Sequence, residues 1–261
     1  MSAKSNTMRH IISLSGGKDS TALALYMRQA FPEIQIEYVF CDTGREFPDL
    51  YRFLDDLEDV LESPISRLTD YGRTFDFYLE HWGWFLPGKQ SRWCTKHLKL
   101  RPIERYCKQG LPCTVYIGLR ADEPEREGNY GISKGIDYAY PLREACIDLN
   151  GVMNILSESQ IKLPKFYAWR TTGGCWMCPW QRESEWLGLS RHEPELFAQA
   201  LAEEKKAEET SKDGHGTTWS LSRKPLQRML DDYERQVQMF PDYEFDLRER
   251  YDSRPCIICA K

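Results

Sequence analysis

The sequence predicts an α/β fold: a doubly wound, mostly parallel sheet with a C-terminal helical, Cys-containing extension. Three observations predict it. Short apolar runs of strand length alternate with stretches whose apolar residues recur at helical spacing. Two of those runs end in polar, glycine-bearing turns, and open α/β sheets place ligands outside the carboxyl ends of their strands. Beyond about Asp137 the alternation gives way to turn-rich, Trp- and Cys-bearing segments and helices. The expected division is therefore an α/β domain over residues 1–182 and a helical extension over 183–261 with a terminal Cys-x-x-Cys.

The elements follow in order. Ile11, Ile12 and Leu14 make a buried first strand, and Ala22, Leu23, Leu25, Tyr26 and Met27 repeat at helical spacing after it. A second strand spans 34–40. An amphipathic helix follows, with Leu50, Phe53, Leu54, Leu57, Val60 and Leu61 on its buried side. "SPISRLTD" is a short third strand, and 114–117 a fourth. The aromatic stretch 71–87 resists assignment, with Trp82 and Trp84 fitting either a core or a lid. Residues 193–211 read as a charged helix, most economically a solvated outer one, and a last helix spans roughly 225–239. No internal repeat is present.

Composition limits the classes of function. A chain of 261 residues with 41% hydrophobic and 13% aromatic residues suits a globular enzyme. No stretch is apolar enough to span a membrane, and "MSAKSNTMRH" lacks a signal-peptide core, so a cytoplasmic location is expected. The net charge of -5 argues against indiscriminate coating of nucleic acid, although a local basic track is compatible with it. Nine cysteines read more readily as thiols, metal ligands or redox groups than as a disulfide framework.

The stretch "HIISLSGGKDSTALALYM" puts two adjacent glycines at a strand-to-helix turn. There the first helix amides are unpaired and carry the positive end of the dipole, so an anion can approach without meeting a Cβ. On its own Gly-Gly could be a tight turn with Asp19 or Ser20 as helix cap. The spacing is not that of Walker A. "SLSGGKDS" resembles the pyrophosphate loop Ser-Gly-Gly-x-Asp-Ser of the ATP pyrophosphatases and the phosphoadenosine phosphosulfate (PAPS) reductase family, whose fold is adenine nucleotide alpha hydrolase-like. "VFCDTGREFPDLYRFL" is similar to that family's Asp-Thr-Gly…Phe-Pro-Glu-Thr motif, with Asp49 in place of Glu and Leu50 in place of Thr. "IGLRADEPER" resembles its Gly-x-Arg-x-x-Glu-Ser segment, with Pro124 in place of Ser, and "YAYPLREACIDLNGVMNIL" its Tyr-Pro-Leu stretch. The resemblance covers about residues 8–182.

It implies ATP and Mg2+ as cofactors. Ser13, Ser15, Gly16, Gly17, Asp19 and Ser20 would hold the phosphates, with Lys18 auxiliary. Asp42, Thr43 and Gly44 would receive adenine and ribose, and Gly118 and Arg120 would complete the site; Arg120 either contacts phosphate or pairs with Glu123. Asp19 is the metal-linked carboxylate and, with Ser20, catalytic.

The segment "SRWCTKHLKLRPIERYCKQG" sets six bases against the single acid Glu104. Arg92, Lys96, Lys99 and Arg101 are the candidate track for sulfate or a phosphodiester, the alternative being a solvated helix face. His97 is the histidine best placed for function. "CWMCP" and "CIIC" make two Cys-x-x-Cys pairs, Cys175 with Cys178 and Cys256 with Cys259, and Cys94 adds a fifth candidate metal ligand. Four thiolates suffice for zinc or a [4Fe-4S] cluster, and spacing alone does not choose between a metal site and a redox or persulfide-carrying pair. Cys41, Cys107, Cys113 and Cys146 are expected to be small buried side chains. Trp169, Trp176 and Trp180 fit core packing or base stacking.

"RWCT" and "GGCWMCP" look most like the sulfur-handling branch, including the DndC/SspD-type DNA phosphorothioation proteins. That resemblance implies an adenylating sulfurtransferase with Cys175 or Cys178 as sulfur carrier. Its partners would be a cysteine desulfurase, DNA as acceptor and other phosphorothioation proteins, with a homodimer left open. The alternatives are a thiol-dependent sulfonucleotide reductase, a tRNA thiolation enzyme and a non-catalytic nucleotide-binding scaffold.

Overall fold

The computed structural model describes residues 8–126, 133–212 and 214–239. In chain order its elements are β1 (Arg9–Leu14), α1 (Lys18–Ala30), β2 (Ile36–Cys41), α2 (Pro48–Leu61), β3 (Ile65–Leu68), α3 (Phe75–His81), α4 (Trp93–Thr95), a π-helical turn (Lys96–Leu100), α5 (Arg101–Cys107) and β4 (Cys113–Tyr116). Then come β5 (Ile136–Ala139), α6 (Pro141–Glu144), α7 (Leu149–Glu158), a 3-10 turn (Lys165–Ala168), α8 (Glu183–His192), α9 (Pro194–Thr210) and α10 (Leu226–Met239). The described residues gather into two compact units, 8–72 with 95–164, and 73–94 with 165–239. Residues 165–182, expected with the α/β domain, group with the C-terminal helices.

In the first unit the sheet has strand order β3-β2-β1-β4-β5, every pairing parallel. The predicted α/β class is observed. Ile11, Ile12 and Leu14 are all buried although successive strand residues face opposite ways. Both faces of β1 are therefore covered, as a parallel sheet requires. On one face Ile11, Val39, Val115 and Ile136 pack with Cys107 of α5, and α1 packs against α7. The helix α2 buries Leu50, Phe53, Leu54, Leu57 and Leu61, as its periodicity predicts, and leaves Val60 half-buried. β5 was not expected from the sequence. Four residues of weak alternation become a strand only because β4 offers them a ladder, Cys113 opposite Ile136 through Tyr116 opposite Ala139.

Two expectations are corrected. The residues Cys107 and Cys113 are buried, whereas Cys41 is half-buried as a residue with its thiol turned inward toward Lys99 O, and Cys146 is exposed, on a residue of φ +54°. A positive φ puts Cys146 in a turn after α6, where the chain runs over the surface.

In the second unit α9 is not a solvated outer helix. It buries Phe197, Ala200 and Ala207 together with Glu203 and Glu204. Glu204 Oε1 accepts from Trp219 N at 2.7 Å and its Oε2 from Leu226 N at 2.8 Å, while Trp219 Nε1 donates to Ala200 O at 3.2 Å. The carboxylate thus serves backbone donors of the segment leading to α10, a pairing that no charge pattern announces. The unassigned aromatic stretch supplies Phe75, whose ring lies 4.7 Å from Trp93 and 5.9 Å from Trp219, in a core shared with Trp186. Trp82 is exposed, and Lys206 Nζ sits 3.7 Å over the ring of Trp84. Helix α8, absent from the sequence reading, starts at Glu183. Among the described residues no helix is long and apolar enough to cross a membrane.

Candidate functional site

The expected phosphate loop lies between β1 and α1. Gly17 is the N-cap of α1 and has no side chain to occupy that position, so the N-terminal end of the helix is left to a ligand. Gly16 has φ +69°, and a Cβ there would lie 2.5 Å from Leu50 Cδ1. Both the left-handed turn and the close approach of α2 require glycine. Ser15 and Ser20 staple the loop: their hydroxyls are 3.1 Å apart, Ser15 N donates to Ser20 Oγ at 3.1 Å, and Ser20 Oγ donates to Gly17 O at 3.1 Å. Ser20, named as catalytic, is buried and holds the loop's shape.

A small, partly open cavity lies at the carboxyl ends of the central strands, lined by Ser13, Ser15, Cys41, Glu46, Lys99 and Tyr138 among others. The strand order reverses between β1 and β4, so the cavity sits at the topological switch point, where ligands bind in open α/β sheets. The Asp-Thr-Gly turn after β2 is internally braced. Asp42 Oδ1 accepts from Gly44 N and from Tyr51 OH, each at 2.8 Å, and Thr43 Oγ1 donates to Glu46 Oε1 at 2.8 Å. Burial pushes the Cys41 thiol up to about 12 despite the nearby charge of Lys99, so it is a neutral wall of the cavity. Glu46 was not picked out from the sequence; its place two residues beyond the glycine of the Asp-Thr-Gly turn was the available signal.

Arg120 joins the loop to the segment after β4. Its Nη1 donates to Asp19 Oδ1 at 3.1 Å, its Nε to Asp122 Oδ1 at 2.8 Å and its Nη2 to Asp122 Oδ2 at 3.1 Å, with Glu123 at 3.4 Å. The pairing with Glu123 is thus present, as one of three. Burial opposes ionisation of Asp122, yet the hydrogen bond and charge of Arg120 outweigh it and hold that carboxyl below its usual range. Lys18 Nζ lies 3.3 Å from Asp19 Oδ2, so cations flank both oxygens of Asp19. Gly118 has a packing role: a Cβ there would lie 2.9 Å from Asp19 O and 3.1 Å from Ser20 Cα.

Asp19 and Asp122 are carboxylates of the type that holds Mg2+, although Arg120 and Lys18 flank the two oxygens of Asp19 in this structure. Asp19 is partly exposed and Asp122 more so, and Mg2+ is held through one or two carboxylates plus substrate phosphates rather than by a closed protein cage.

The basic segment divides by environment. Arg105 is bound to Asp70 at 2.6 Å, and Lys108 to Glu104 at 2.6 Å, so these two brace the fold. Lys99 lines the cavity, Lys96 and Arg101 are exposed, and His97 Nδ1 lies 2.8 Å from Arg101 Nη1. In the second unit Arg92 stacks 4.8 Å over the ring of Trp180. Trp169 and Trp176 are buried, Trp169 stacking on His192 at 5.4 Å, so those two are core.

Cys175 and Cys178 close a turn in which Cys178 N donates to Cys175 O at 3.2 Å. Such a turn brings the Cα atoms of its first and fourth residues within about 7 Å. Both side chains are buried. Gly174, φ +105°, lets the chain enter the turn. Arg170 Nη2 donates to Cys175 O at 3.2 Å, and Gln181 Nε2 to Trp176 O at 2.6 Å. Burial pushes the Glu185 carboxyl up, but the charge of Arg170 and several N–H donors outweigh it and keep it below its usual range. Neither Arg170 nor Glu185 was visible as a site residue in the sequence.

The expected five-cysteine metal set is not assembled by the described residues. Among them no group of three or more His, Cys, Asp or Glu side chains is placed to hold a metal ion. Cys94 does not join Cys175 and Cys178 in such a group, and Cys256 and Cys259 lie outside the described residues. Cys175 and Cys178 thus supply two of the four thiolates that zinc or an iron-sulfur cluster takes from Cys-rich sites.

The sequence profile of the phosphoadenosine phosphosulfate reductase domain matches residues 9–181. An uncharacterized protein of Methanocaldococcus jannaschii is 29% identical over 201 residues, covering 71% of this chain and 45% of that protein. A second from the same organism is 26% identical over 196 residues, covering 72% and 39%. The uncharacterized nin region protein of Escherichia phage lambda is 30% identical over 148 residues, 46% of this chain and 50% of that one. The chain thus spans half or less of the length of these curated relatives. Among solved structures, a PAPS reductase from Candida auris is 18% identical with a TM-score of 0.49, covering 67% of this chain and 84% of that one. A U34-tRNA thiolase from Methanococcus maripaludis, solved with its [4Fe-4S] cluster, is 14% identical with a TM-score of 0.45, covering 97% and 80%.

Proposed function

The chain belongs to the phosphoadenosine phosphosulfate reductase domain family, and from that premise we infer that it is an ATP pyrophosphatase that adenylates an acceptor phosphate for sulfur transfer, acting in DNA phosphorothioate modification. The observation that carries the reading is the loop 15–20 at the start of α1, its N-cap bare of any side chain, beside a cavity at the switch point of the sheet.

An acceptor phosphate oxygen attacks the α-phosphorus of ATP in line, and pyrophosphate leaves toward the loop. The N-terminal amides of α1, with Lys18 and Arg120, balance the charge that gathers on the leaving group. Asp19 would hold Mg2+, which when bound supplies further positive charge to the phosphates. Arg120 keeps Asp19 in place through its hydrogen bond, and holds Asp122 in place and ionised.

Activation of the oxygen is needed because a bare phosphate oxygen is a very poor leaving group. The terminal sulfur of a persulfide on Cys175 or Cys178, loaded by a cysteine desulfurase, then attacks the acceptor phosphorus and AMP departs. The second thiol of the pair attacks the cysteine sulfur so attached, freeing the thiophosphate and leaving a Cys175–Cys178 disulfide for a cellular thiol to reduce.

The test is pyrophosphate release from ATP with Mg2+, with and without duplex DNA, beside an Asp19→Ala variant. Release that requires Asp19 supports the adenylating reading. The family also supports a second reading, a thiol-dependent sulfonucleotide reductase. Sulfite formation from PAPS and a thiol, with no pyrophosphate release from ATP, would establish that one instead.

A further inference from the structure

Glu185 stands on the first turn of α8, 2% exposed, and spends both carboxylate oxygens on the segment that carries the cysteines. Oε1 accepts from Thr171 N at 2.9 Å, Thr171 Oγ1 at 3.0 Å, Thr172 N at 3.2 Å and Thr172 Oγ1 at 3.2 Å. Oε2 accepts from Arg182 N at 3.1 Å and from Thr172 Oγ1 at 3.2 Å. Thr171 and Thr172 open the loop that contains Cys175 and Cys178, and Arg182 closes it. A glutamate at this helix position commonly accepts from the N-cap amide, and that accounts for the bond from Arg182 alone. The bonds to Thr171 and Thr172 serve no capping purpose. They join the two ends of the loop through one buried charge, as in compact loops whose ends lie close together.

Arg170, just before the loop, holds the carbonyl of Cys175, and Gln181 that of Trp176, so the two peptide units that follow the first cysteine are fixed. We propose that Glu185 is the positioning residue of the Cys175–Cys178 pair, a clasp that sets the separation of the two sulfurs and keeps both from solvent. The proposal rests on the reading above that these cysteines handle sulfur. A dithiol held at fixed separation closes to a disulfide far more readily than two independent thiols, because the entropy of bringing them together is already spent.

The test uses the full chain as wild type, Glu185→Gln and the double variant Thr171→Val/Thr172→Val. Gln replaces one acceptor oxygen with an NH2 that faces N–H and O–H donors, releasing at least one end of the loop. The valines remove only the two hydroxyl donors. Alkylation by iodoacetamide is followed at Cys175 and Cys178, with the buried Cys107 and Cys113 of the sheet unit as internal reporters of global unfolding. The equilibrium of the Cys175–Cys178 disulfide with glutathione is measured on the same samples.

In Glu185→Gln the two loop cysteines are expected to react about tenfold faster or more, while Cys107 and Cys113 change by less than about twofold. The disulfide equilibrium constant is expected to fall by about tenfold, and the double variant to move both readouts the same way by a smaller factor. Unchanged alkylation, an unchanged disulfide equilibrium, or acceleration of all four cysteines in both variants overturns the proposal. Pyrophosphate release is assayed on the same preparations. Its absence from the wild type counts against the proposed function, whereas unchanged thiol behaviour in Glu185→Gln counts against Glu185.

Discussion

Replacing Gly118 with alanine adds one methyl group where the segment after β4 meets the first turn of α1. That carbon would lie 2.9 Å from Asp19 O, 3.0 Å from Asp19 C and 3.1 Å from Ser20 Cα, all backbone atoms of the first turn of α1. The shortest contact falls about half an ångström inside ordinary van der Waals distance, and no side-chain rotation relieves it. Either the segment after β4 or the start of α1 must move. Overpacking of this kind costs about 1–3 kcal/mol, which lowers the melting temperature by roughly 2–6 °C for a chain of this size. The same displacement carries Asp19 and Ser20 out of register with the nucleotide. Since a misplacement of about 1 Å can cost about a hundredfold in rate, a shift of half that is expected to lower kcat/KM for pyrophosphate release by about tenfold. Calorimetric unfolding and a coupled pyrophosphate assay read the two effects. Gly88→Ala is the control, because its added carbon meets nothing within 4 Å and should leave both unchanged. A Gly118→Ala protein with wild-type stability and turnover would refute the claim that Gly118 sets the position of the loop.

Arg120→Lys keeps the charge but cannot reach Asp19, Asp122 and Glu123 together; KM for ATP in the pyrophosphate assay is expected to rise at least about tenfold. Cys175→Ser/Cys178→Ser is expected to abolish phosphorothioate formation, scored by nuclease-resistant linkages in DNA, while pyrophosphate release persists; unaltered product formation would remove both residues from the mechanism. Burial pushes Glu204 up to about 7, against the pull of the two backbone donors Trp219 N and Leu226 N. The folded protein then keeps a proton that the unfolded chain loses from about pH 4.5, so this contribution is full below that pH and is lost as pH rises through 7, on the order of 3 kcal/mol in all. Urea unfolding at pH 5 and pH 8 should show the decline in wild type and a flatter profile in Glu204→Gln; equal slopes in the two proteins would count against it.

Much of the first unit is legible in the amino-acid sequence. β1, α1, β2 and α2 follow from periodicity, because their apolar residues repeat at intervals that only one regular structure can bury. The phosphate loop was equally legible, since its glycines, Asp19 and Ser20 are contiguous in the chain and their roles follow from local backbone geometry. β5 and α8 were not, for they owe their form to a neighbouring strand and to a buried aromatic core. α9 was misjudged for the same reason: its acids look solvated until Trp219 N and Leu226 N are brought to Glu204.

The sequence by itself determined the fold class, the strand-to-helix turn that awaits an anion and the cysteine pair, because each is written in residues a few positions apart. Only the tertiary structure decided that Arg120 reaches back 101 residues to Asp19, that Gly118 is needed for packing, and that Glu185 closes the cysteine loop at both ends. Such contacts arise where a buried charge must find every donor and acceptor it lost to desolvation, and the chain supplies those partners from wherever folding brings them close.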